Sequence, residues 1–446
     1  MLDVKQAPKK LDNDNYLILG IGVSGYATTT YLLRHGYQCR LQDNRQLSLQ
    51  INQLKVEFPQ LQIETELNFE LIEWADTLVV SPGISIHQDL IRFAAAQGKA
   101  IVGDVELFAQ LVEKPVIAIT GSNGKTTVTT LVGEMIKAAG LKAAVGGNIG
   151  TPALDLLETE ADYYVLELSS YQLETTYSLQ PRVAAMLNLS EDHLDRYASY
   201  GDYIKAKQRI FHHAEICLVN ADDTATGHAG DSISFSLAPN SSAEFKLIES
   251  DRTYLGKSGQ SWLSVDELKI SGRHNWANCL AAMAIADSIG LPREAVVTAL
   301  KEFTGIAHRS QWVAEIDGVE WINDSKATNV GAARASIEGR DRPIILIAGG
   351  QSKSADMSPL IDVLKQRVKL VLLMGVDAEI LRQAWQSATR IEMVADMRQA
   401  VTRAAEEAVS GDCVLLAPAC ASFDMYEKFE ARGDDFSQQV RSLIDG

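Results

Sequence analysis

The chain has 446 residues, 46% of them apolar, and a formal net charge of −17 from 41 basic and 58 acidic side chains. That length leads one to expect several domains, and the acidic balance argues against a nucleic-acid partner, which would favour a basic footprint. No apolar run reaches the roughly 18 residues of a membrane span, the opening residues lack the apolar stretch of a secretory leader, and the 5 cysteines are scattered without metal-ligand spacing, so a reducing, cytoplasmic setting without structural zinc is expected.

The first segment, residues 1–110, opens with the strand Tyr16–Leu19 and the turn Gly20-x-Gly22-x-x-Gly25. A helix to about His35 and a strand near Gln38–Gln42 ending at Asp43 follow. The apolar run Thr77–Val80 then breaks at Ser81-Pro82-Gly83. Strands alternating with helices predict a parallel α/β sheet. The glycines let a diphosphate approach the helix N-terminus, and Asp43 is placed to hydrogen-bond a ribose or a base. NAD, another nucleoside diphosphate and a purely structural tight turn all satisfy this pattern.

The second segment, residues 111–306, carries the apolar run Val116–Ile119 and then Thr-Gly-Ser-Asn-Gly-Lys-Thr-Thr over 120–127. The general phosphate-loop pattern asks for glycine where Ile119 stands, so the loop is a shortened form. Backbone N–H groups of Gly121, Ser122, Asn123 and Gly124 aim at a polyphosphate, Lys125 reaches the outer phosphates, and Thr126, followed by Thr127, offers a hydroxyl to Mg²⁺. ATP is the expected ligand. Tyr164–Leu168, Val183–Leu187 and Ile216–Val219 are continuous apolar strands of the kind covered on both faces. Residues 225–272 are expected to add short antiparallel strands, and a helix is expected near 275–289. Glu167, an acid in an apolar strand, is either an Mg²⁺ ligand or a strand-end acid facing solvent. His193, in the polar run Asn188–Asp195, is either a ligand for a second divalent ion or an ordinary loop histidine. Lys207, on an expected helix over 202–213, reads on chemistry alone as a solvated surface lysine.

The third segment, residues 307–446, has strands at Ile344–Ile347, Leu370–Leu373 and Val414–Leu416. His308-Arg309, the cluster Asn323–Asn329, Gly349–Asp356 and Ala417–Asp424 sit beside or at the ends of such runs, where function concentrates. Lys353 is suited to a carboxylate. Each of these clusters also reads as a plain loop, and nothing makes Cys420 a nucleophile. No internal repeat is visible. Ligands should gather at the carboxyl ends of the strands.

Taken in order along nearly all of the chain, these motifs resemble those of the Mur ligase family, bacterial enzymes that build the peptide stem of the peptidoglycan precursor. The resemblance rests on Gly20–Gly25, Ser81-Pro82-Gly83, TGSNGKTT, Gly147–Gly150, ELSSYQLE, NLSEDHLDRY, Gly272–Asn275, AHR, NDSKATN, GGQSKSAD and APACASFDMYEKFEARGDDF. The first and last groups are most similar to members that add D-glutamate. The Asp-Asn-Pro-Arg motif typical of the diamino-acid-adding members is not in the sequence.

The resemblance implies an α/β protein of three domains: N-terminal Rossmann-like, central P-loop ATPase-type with small antiparallel additions, and C-terminal Rossmann-like. It implies ATP-dependent amide ligation of UDP-N-acetylmuramoyl-L-alanine to D-glutamate through an acyl phosphate, with two Mg²⁺ ions. It moves the glycine turn from NAD to the uridine diphosphate, with Gly22, Val23, Ser24, Asp43, Arg45, Gly83 and Asn148 on that substrate. Lys125, His193 and Lys207 become catalytic, and Thr126, Glu167, His193 and Lys207 become metal-associated. Lys207 matches a lysine that CO₂ carbamylates in the family. Asn278, Arg309 and Asp324 join the loop residues around ATP, while Thr328, Lys353, Ser422 and Phe429 match positions that hold D-glutamate. A monomer that closes on its ligands is expected. Other Mur steps and folate polyglutamylation are sibling activities.

Overall fold

The computed structural model describes residues 15–45, 48–190, 196–227, 230–270, 272–353 and 355–444. They fall in two compact units, Met1–Glu267 with Arg273–Lys301, and Leu268–Gly272 with Glu302–Gly446. Among the described residues no helix is long and apolar enough to cross a membrane.

The first unit contains two sheets. In the smaller one the spatial order is Ile63–Glu64, Gln38–Gln42, Asn15–Leu19, Thr77–Val80 and Ala100–Val102, and every pairing is parallel. The winding reverses at Asn15–Leu19, which opens a crevice beyond the carboxyl ends of that strand and of Thr77–Val80. Leu17, Ile18 and Leu78 are fully buried, as expected where helices cover both faces. The turn after the first strand depends on its glycines. A Cβ on Gly25 would lie 2.0 Å from the Gly20 carbonyl oxygen and 3.0 Å from Ser81 Oγ, so only glycine lets the helix Val23–Arg34 seat there.

The larger sheet runs Gln260–Ser264, Thr253–Lys257, Phe245–Glu249, Ile233–Ser236, Ile216–Asn220, Val183–Met186, Val116–Thr120, Tyr163–Glu167 and Ala143–Gly147. Seven of these strands form one continuous parallel array ending at Phe245–Glu249. Only the last two ladders are antiparallel. The antiparallel reading of residues 225–272 therefore holds from Phe245 onward and fails for Ile233–Ser236. Alternation reports a half-buried strand and carries no information on its direction. The helix expected over 202–213 is Tyr200–Gln208, continued by a 3₁₀ turn at Arg209–Phe211.

Glu106 joins the layers of this unit. It is fully buried on the helix Asp104–Leu111 and accepts from Tyr177 N at 2.6 Å, Ser178 N at 2.9 Å and Ser178 Oγ at 2.7 Å. Truncation would strand those donors without solvent. Glu106→Ala should destabilise the unit by about 3 kcal/mol, read as a lower first transition in thermal melting; an unshifted transition would contradict this.

The second unit is one sheet in the order Gln311–Ile316, Val319–Asn323, Cys413–Leu416, Ile344–Gly349, Val368–Met374 and Arg390–Met393. The first pair is an antiparallel hairpin and all other ladders are parallel. One face packs on Ile337, Leu364, Leu381 and Trp385, the other on Met397, Val401, Phe436 and Val440.

Candidate active site

The loop Gly121–Gly124 leaves the strand Val116–Thr120 and enters the helix Lys125–Ala138, whose N-terminus has no side-chain cap. Its first N–H groups are therefore available to an anion. Gly124 has φ +79°, and a Cβ there would sit 2.3 Å from Asn278 Oδ1. Asn278, on the helix Arg273–Ser288, thus packs directly on the loop. Lys125 Nζ donates to the carbonyls of Gly121 at 2.9 Å and Ser122 at 3.0 Å, curled over the loop it would serve. Gly124→Ala should lower phosphate release from ATP by at least about 100-fold, because the added methyl is strained at that φ and displaces Asn278; a variant of near-normal rate would contradict the packing argument.

Asn188 is a loop-shaping residue that the sequence reading carried only as the head of the His193 motif. Its Oδ1 accepts from Asn123 N at 2.8 Å, its Nδ2 donates to Asn123 O at 3.0 Å, and its carbonyl accepts from Ser122 N at 2.8 Å. His193 itself lies outside the described residues.

Two side chains that chemistry alone allowed in solvent are buried. Glu167 is 2% exposed, so it is not a solvent-facing acid. Its Oε2 accepts from Thr126 Oγ1 and its Oε1 from Asn148 Nδ2, both at 2.8 Å. Lys207 is also 2% exposed, which overturns the surface-lysine reading. Its Nζ donates to Thr120 Oγ1 at 3.1 Å and Gly121 O at 2.9 Å and lies 5.1 Å from the Tyr203 ring. The Tyr203 hydroxyl in turn is 2.9 Å from Ser122 Oγ. Lys205, two positions earlier, pairs with Asp202 in solvent. Among the described residues no group of three or more His, Cys, Asp or Glu gathers as a metal cluster.

A cavity of about 1120 Å³ lies in the same unit, and Gly22, Val23, Ser24, Asp43, Arg45, Gly83 and Asn148 all line it. The seven positions assigned to one substrate thus share one space. Asp43 also has partners within the turn. Its carboxylate accepts from Ile21 N at 2.6 Å and from Arg45 N, Nε and Nη2 at 2.9, 2.8 and 2.6 Å, so it shapes the turn and aims Arg45. The Arg45 guanidinium holds the Asp43 carboxyl down at about 2. A depressed folded value contributes stability above the unfolded value of about 4. The stability advantage of wild type over Asp43→Asn should therefore be full above about pH 4 and vanish as pH falls through about 2, measured by chemical denaturation across that window.

Arg196 was not singled out from sequence. It donates to the carbonyls of Pro82 and Ile84 at 3.0 Å each, pairs with Glu174 at 3.1 Å, and stacks 4.1 Å from the Tyr171 ring. It clasps the Ser81–Gly83 wall of the cavity to the ATP-loop side. The second link is Asn148, which lines the cavity and bonds Glu167. Cavity and phosphate loop meet at one carboxylate.

In the second unit the remaining candidates gather at one sheet edge. The strands Val319–Asn323, Cys413–Leu416 and Ile344–Gly349 are neighbours, and the loops after them carry Thr328, Lys353 and Ser422. Ala419 N donates to Ala327 O and Gln351 N to Ala421 O, both at 2.9 Å. Arg432, 1% exposed, binds the three loops from behind through Ser325 Oγ at 3.0 Å, Ser325 O at 2.9 Å, Cys420 O at 3.1 Å and Gly349 O at 3.5 Å. Burial lowers its guanidinium to about 10. Phe429 starts the helix Phe429–Ser442, and its carbonyl accepts from Ser325 Oγ at 2.8 Å. No hydrogen bond links Thr328, Lys353, Ser422 and Phe429 to one another among the described residues. Lys353 is exposed, with φ +53° and its Nζ 5.6 Å from the Phe423 ring. Burial pushes the Asp324 carboxyl up, against the Ser336 hydroxyl, the Ser310 N–H and the Arg340 and Arg309 charges. Arg309 and Asp324 thus lie together in this unit, while Gly121–Thr127 and Asn278 lie in the other.

Comparison with known proteins agrees along the chain. Residues 14–103 match the MurD-like N-terminal domain of Mur ligases, 119–286 the Mur ligase middle domain and 308–420 the Mur ligase glutamate ligase domain. The UDP-N-acetylmuramoylalanine--D-glutamate ligase of Coxiella burnetii is 44% identical over 437 residues, covering 96% of this chain and 98% of that protein. The protein of the same name from Pseudomonas aeruginosa is 46% identical over 444 residues, with the same coverage. The solved UDP-N-acetylmuramate-alanine ligase of Thermotoga maritima shares the fold at a TM-score of 0.57 and 19% identity, over 96% of this chain and 100% of that one. A solved UDP-N-acetylmuramoyl-L-alanyl-D-glutamate--2,6-diaminopimelate ligase does so at 0.57 and 20%, over 96% and 92%. With that identity sustained from the glycine turn to the last loops, the chain belongs to the Mur ligase family.

Proposed function

We propose that this chain joins D-glutamate to UDP-N-acetylmuramoyl-L-alanine at the expense of ATP, in cytoplasmic peptidoglycan precursor synthesis, acting as a monomer. The observation that carries the reading is the meeting at Glu167: one carboxylate oxygen holds Thr126 of the phosphate loop, the other holds Asn148 of the cavity wall. A UDP-sugar lying in the cavity extends its free carboxylate toward the end of ATP. The named relatives, alike over nearly the full length, support the same substrates. In this reading residues 1–110 take the UDP-sugar, 111–306 ATP and 307–446 the amino acid.

The chemistry follows from a poor leaving group. A carboxylate oxygen does not depart when an amine attacks, so the carboxylate first takes the terminal phosphoryl group of ATP, releasing ADP and leaving an acyl phosphate. The D-glutamate amine then attacks the carbonyl carbon, a tetrahedral intermediate forms, the amine loses a proton and phosphate departs as the amide closes. Two anions must approach in the first step. Lys125 and the loop N–H groups offset that repulsion and hold the developing charge. Glu167 and Thr126 suit Mg²⁺: they are adjacent oxygen donors, and the buried carboxylate accepts from two neutral donors, Thr126 Oγ1 and Asn148 Nδ2. His193 and a carbamylated Lys207 would complete the metal set. Mg²⁺, when bound, neutralises phosphate charge. Carbamylation needs a neutral amine, which burial favours; CO₂ adds to Nζ with loss of a proton. Asn278, Arg309 and Asp324 serve the nucleotide. Lys353 and the hydroxyls of Thr328 and Ser422, with Phe429, hold the two carboxylates of D-glutamate.

Phosphate release from ATP and Mg²⁺ with UDP-N-acetylmuramoyl-L-alanine, compared with D-glutamate, L-glutamate and no amino acid, tests the reading. Release that depends on D-glutamate, with a product heavier by one glutamyl residue, is expected. Release without amino-acid dependence, or with a different acceptor, would reject it.

A further inference from the structure

Asp104 opens the helix Asp104–Leu111 and is 3% exposed. Neither of its carboxylate oxygens has a hydrogen-bond partner of ordinary geometry, although the Ser24 hydroxyl, the Gln172 side chain and the N–H groups of Val105 and of Asp104 itself lie around it. Glu106, Glu167 and Asp43, the neighbouring buried acids, all accept from at least two donors. A buried acid this loosely held is costly, which calls for a reason outside packing. The Asp104 carboxyl faces the Ser24 hydroxyl and the Gln172 side chain, and both of those residues line the cavity.

The direction of hydrogen bonding decides what this group can do. An ionised Asp104 would accept the Ser24 proton and turn the Ser24 lone pairs toward the cavity, which repels an anion. A neutral carboxyl does the reverse: its O–H donates to Ser24 Oγ, and the Ser24 proton is free to donate into the cavity. Gln172 fixes which oxygen carries the proton. Its Oε1 already accepts from Ser169 N at 3.1 Å and Ser169 Oγ at 3.2 Å, so its amide NH₂ remains to donate to the other Asp104 oxygen. Burial also pushes the Asp104 carboxyl up, against the Ser24 hydroxyl, the Val105 and Asp104 N–H groups and the Gln172 side chain.

We propose that Asp104 is a positioning residue for the diphosphate of the UDP-substrate: held neutral between Gln172 and Ser24, it sets the Ser24 hydroxyl to donate to a phosphate oxygen. This rests on the cavity taking a UDP-sugar. The neutral carboxyl puts a donor, with no charge, behind the Ser24 hydroxyl at the cavity wall.

The test is calorimetric binding of UDP-N-acetylmuramoyl-L-alanine to the full chain, with kcat and KM measured alongside. Asp104→Asn presents an N–H to Ser24 and a carbonyl to Gln172, and should bind within about threefold of wild type. Asp104→Leu and Ser24→Ala should each bind about tenfold more weakly, raising KM for the UDP-substrate with little change in kcat or in KM for ATP. The double variant should be no weaker than either single one, because both remove the same relay. Wild-type affinity in Asp104→Leu, or losses that add in the double variant, would overturn the proposal. Should Asp104→Leu fail to fold, Asp104→Asn decides: near-wild-type binding supports the relay, and a tenfold loss overturns it. Wild type that does not bind the UDP-substrate would overturn the reading of the cavity itself, and this proposal with it.

Discussion

Lys207→Ala should lower turnover by about 1000-fold or more, with part of the activity returning when a short carboxylic acid such as formate or acetate is added. The amine is held at Thr120 Oγ1 and Gly121 O, at the point where the strand enters the phosphate loop, and no surface role explains a lysine that is 2% exposed. An amine enclosed this way loses hydration, which favours the neutral form that reacts with CO₂. The resulting carbamate is an anion where the side chain alone is a cation. Alanine cannot carry it, but an added small carboxylate fits the vacated space and restores an anion. A lysine that merely braces the loop predicts the rate loss without rescue. Near-normal turnover, or a loss that no carboxylic acid relieves, would therefore reject the carbamate role.

The second large effect is expected at Glu167. Glu167→Gln preserves shape and still accepts the Thr126 hydroxyl, while its new NH₂ is met by the Asn148 oxygen once that amide turns over, so the fold and the affinity for the UDP-substrate should change little. What disappears is the negative charge shared by the loop and the cavity wall. Phosphate release should fall by about 1000-fold, and the Mg²⁺ concentration needed for half-maximal rate should rise. Asn148→Ala removes the other half of the junction and should instead raise KM for the UDP-substrate, because Asn148 lines the cavity. Steady-state kinetics with Mg²⁺ varied separates the two. A Glu167→Gln variant with unchanged Mg²⁺ dependence would show that the acid is only a structural acceptor.

Much of the architecture was legible because its strands are short apolar runs closed by turn residues. Thr77–Val80 ends at Ser81-Pro82, and Val116–Thr120 ends at Gly121. The missed strands lack that contrast. Gln311–Ile316 and Arg390–Met393 are edge strands with largely half-exposed side chains, so neither reads as a core run. The hairpin between Gln311–Ile316 and Val319–Asn323 nevertheless carried a local signal in Asp317-Gly318, where φ is +50° and +78°, as a two-residue turn demands.

The site was legible in its motifs and opaque in its wiring. Loop glycines, Lys125 and Thr126 declare themselves by order alone. Lys207 did not, since its helix is polar overall and burial comes from the strands it packs on. Arg432 was invisible for a similar reason: its partners Ser325 and Gly349 lie far away along the chain, and no spacing rule links an arginine to remote carbonyls. Asp43 was legible as a fingerprint acid, and it does line the cavity; its bonds to Arg45 and Ile21 N were not legible.

The central claim is that the carboxylate of the UDP-substrate is phosphorylated before the amide forms, at the junction of cavity and phosphate loop. It is tested most directly by labelling that carboxylate with ¹⁸O and following the oxygen during turnover with ATP, Mg²⁺ and D-glutamate. Transfer of a single labelled oxygen to the released phosphate, with the other retained in the new amide, is the predicted result. Phosphate released without label would mean that ATP is spent on water, and would contradict the account.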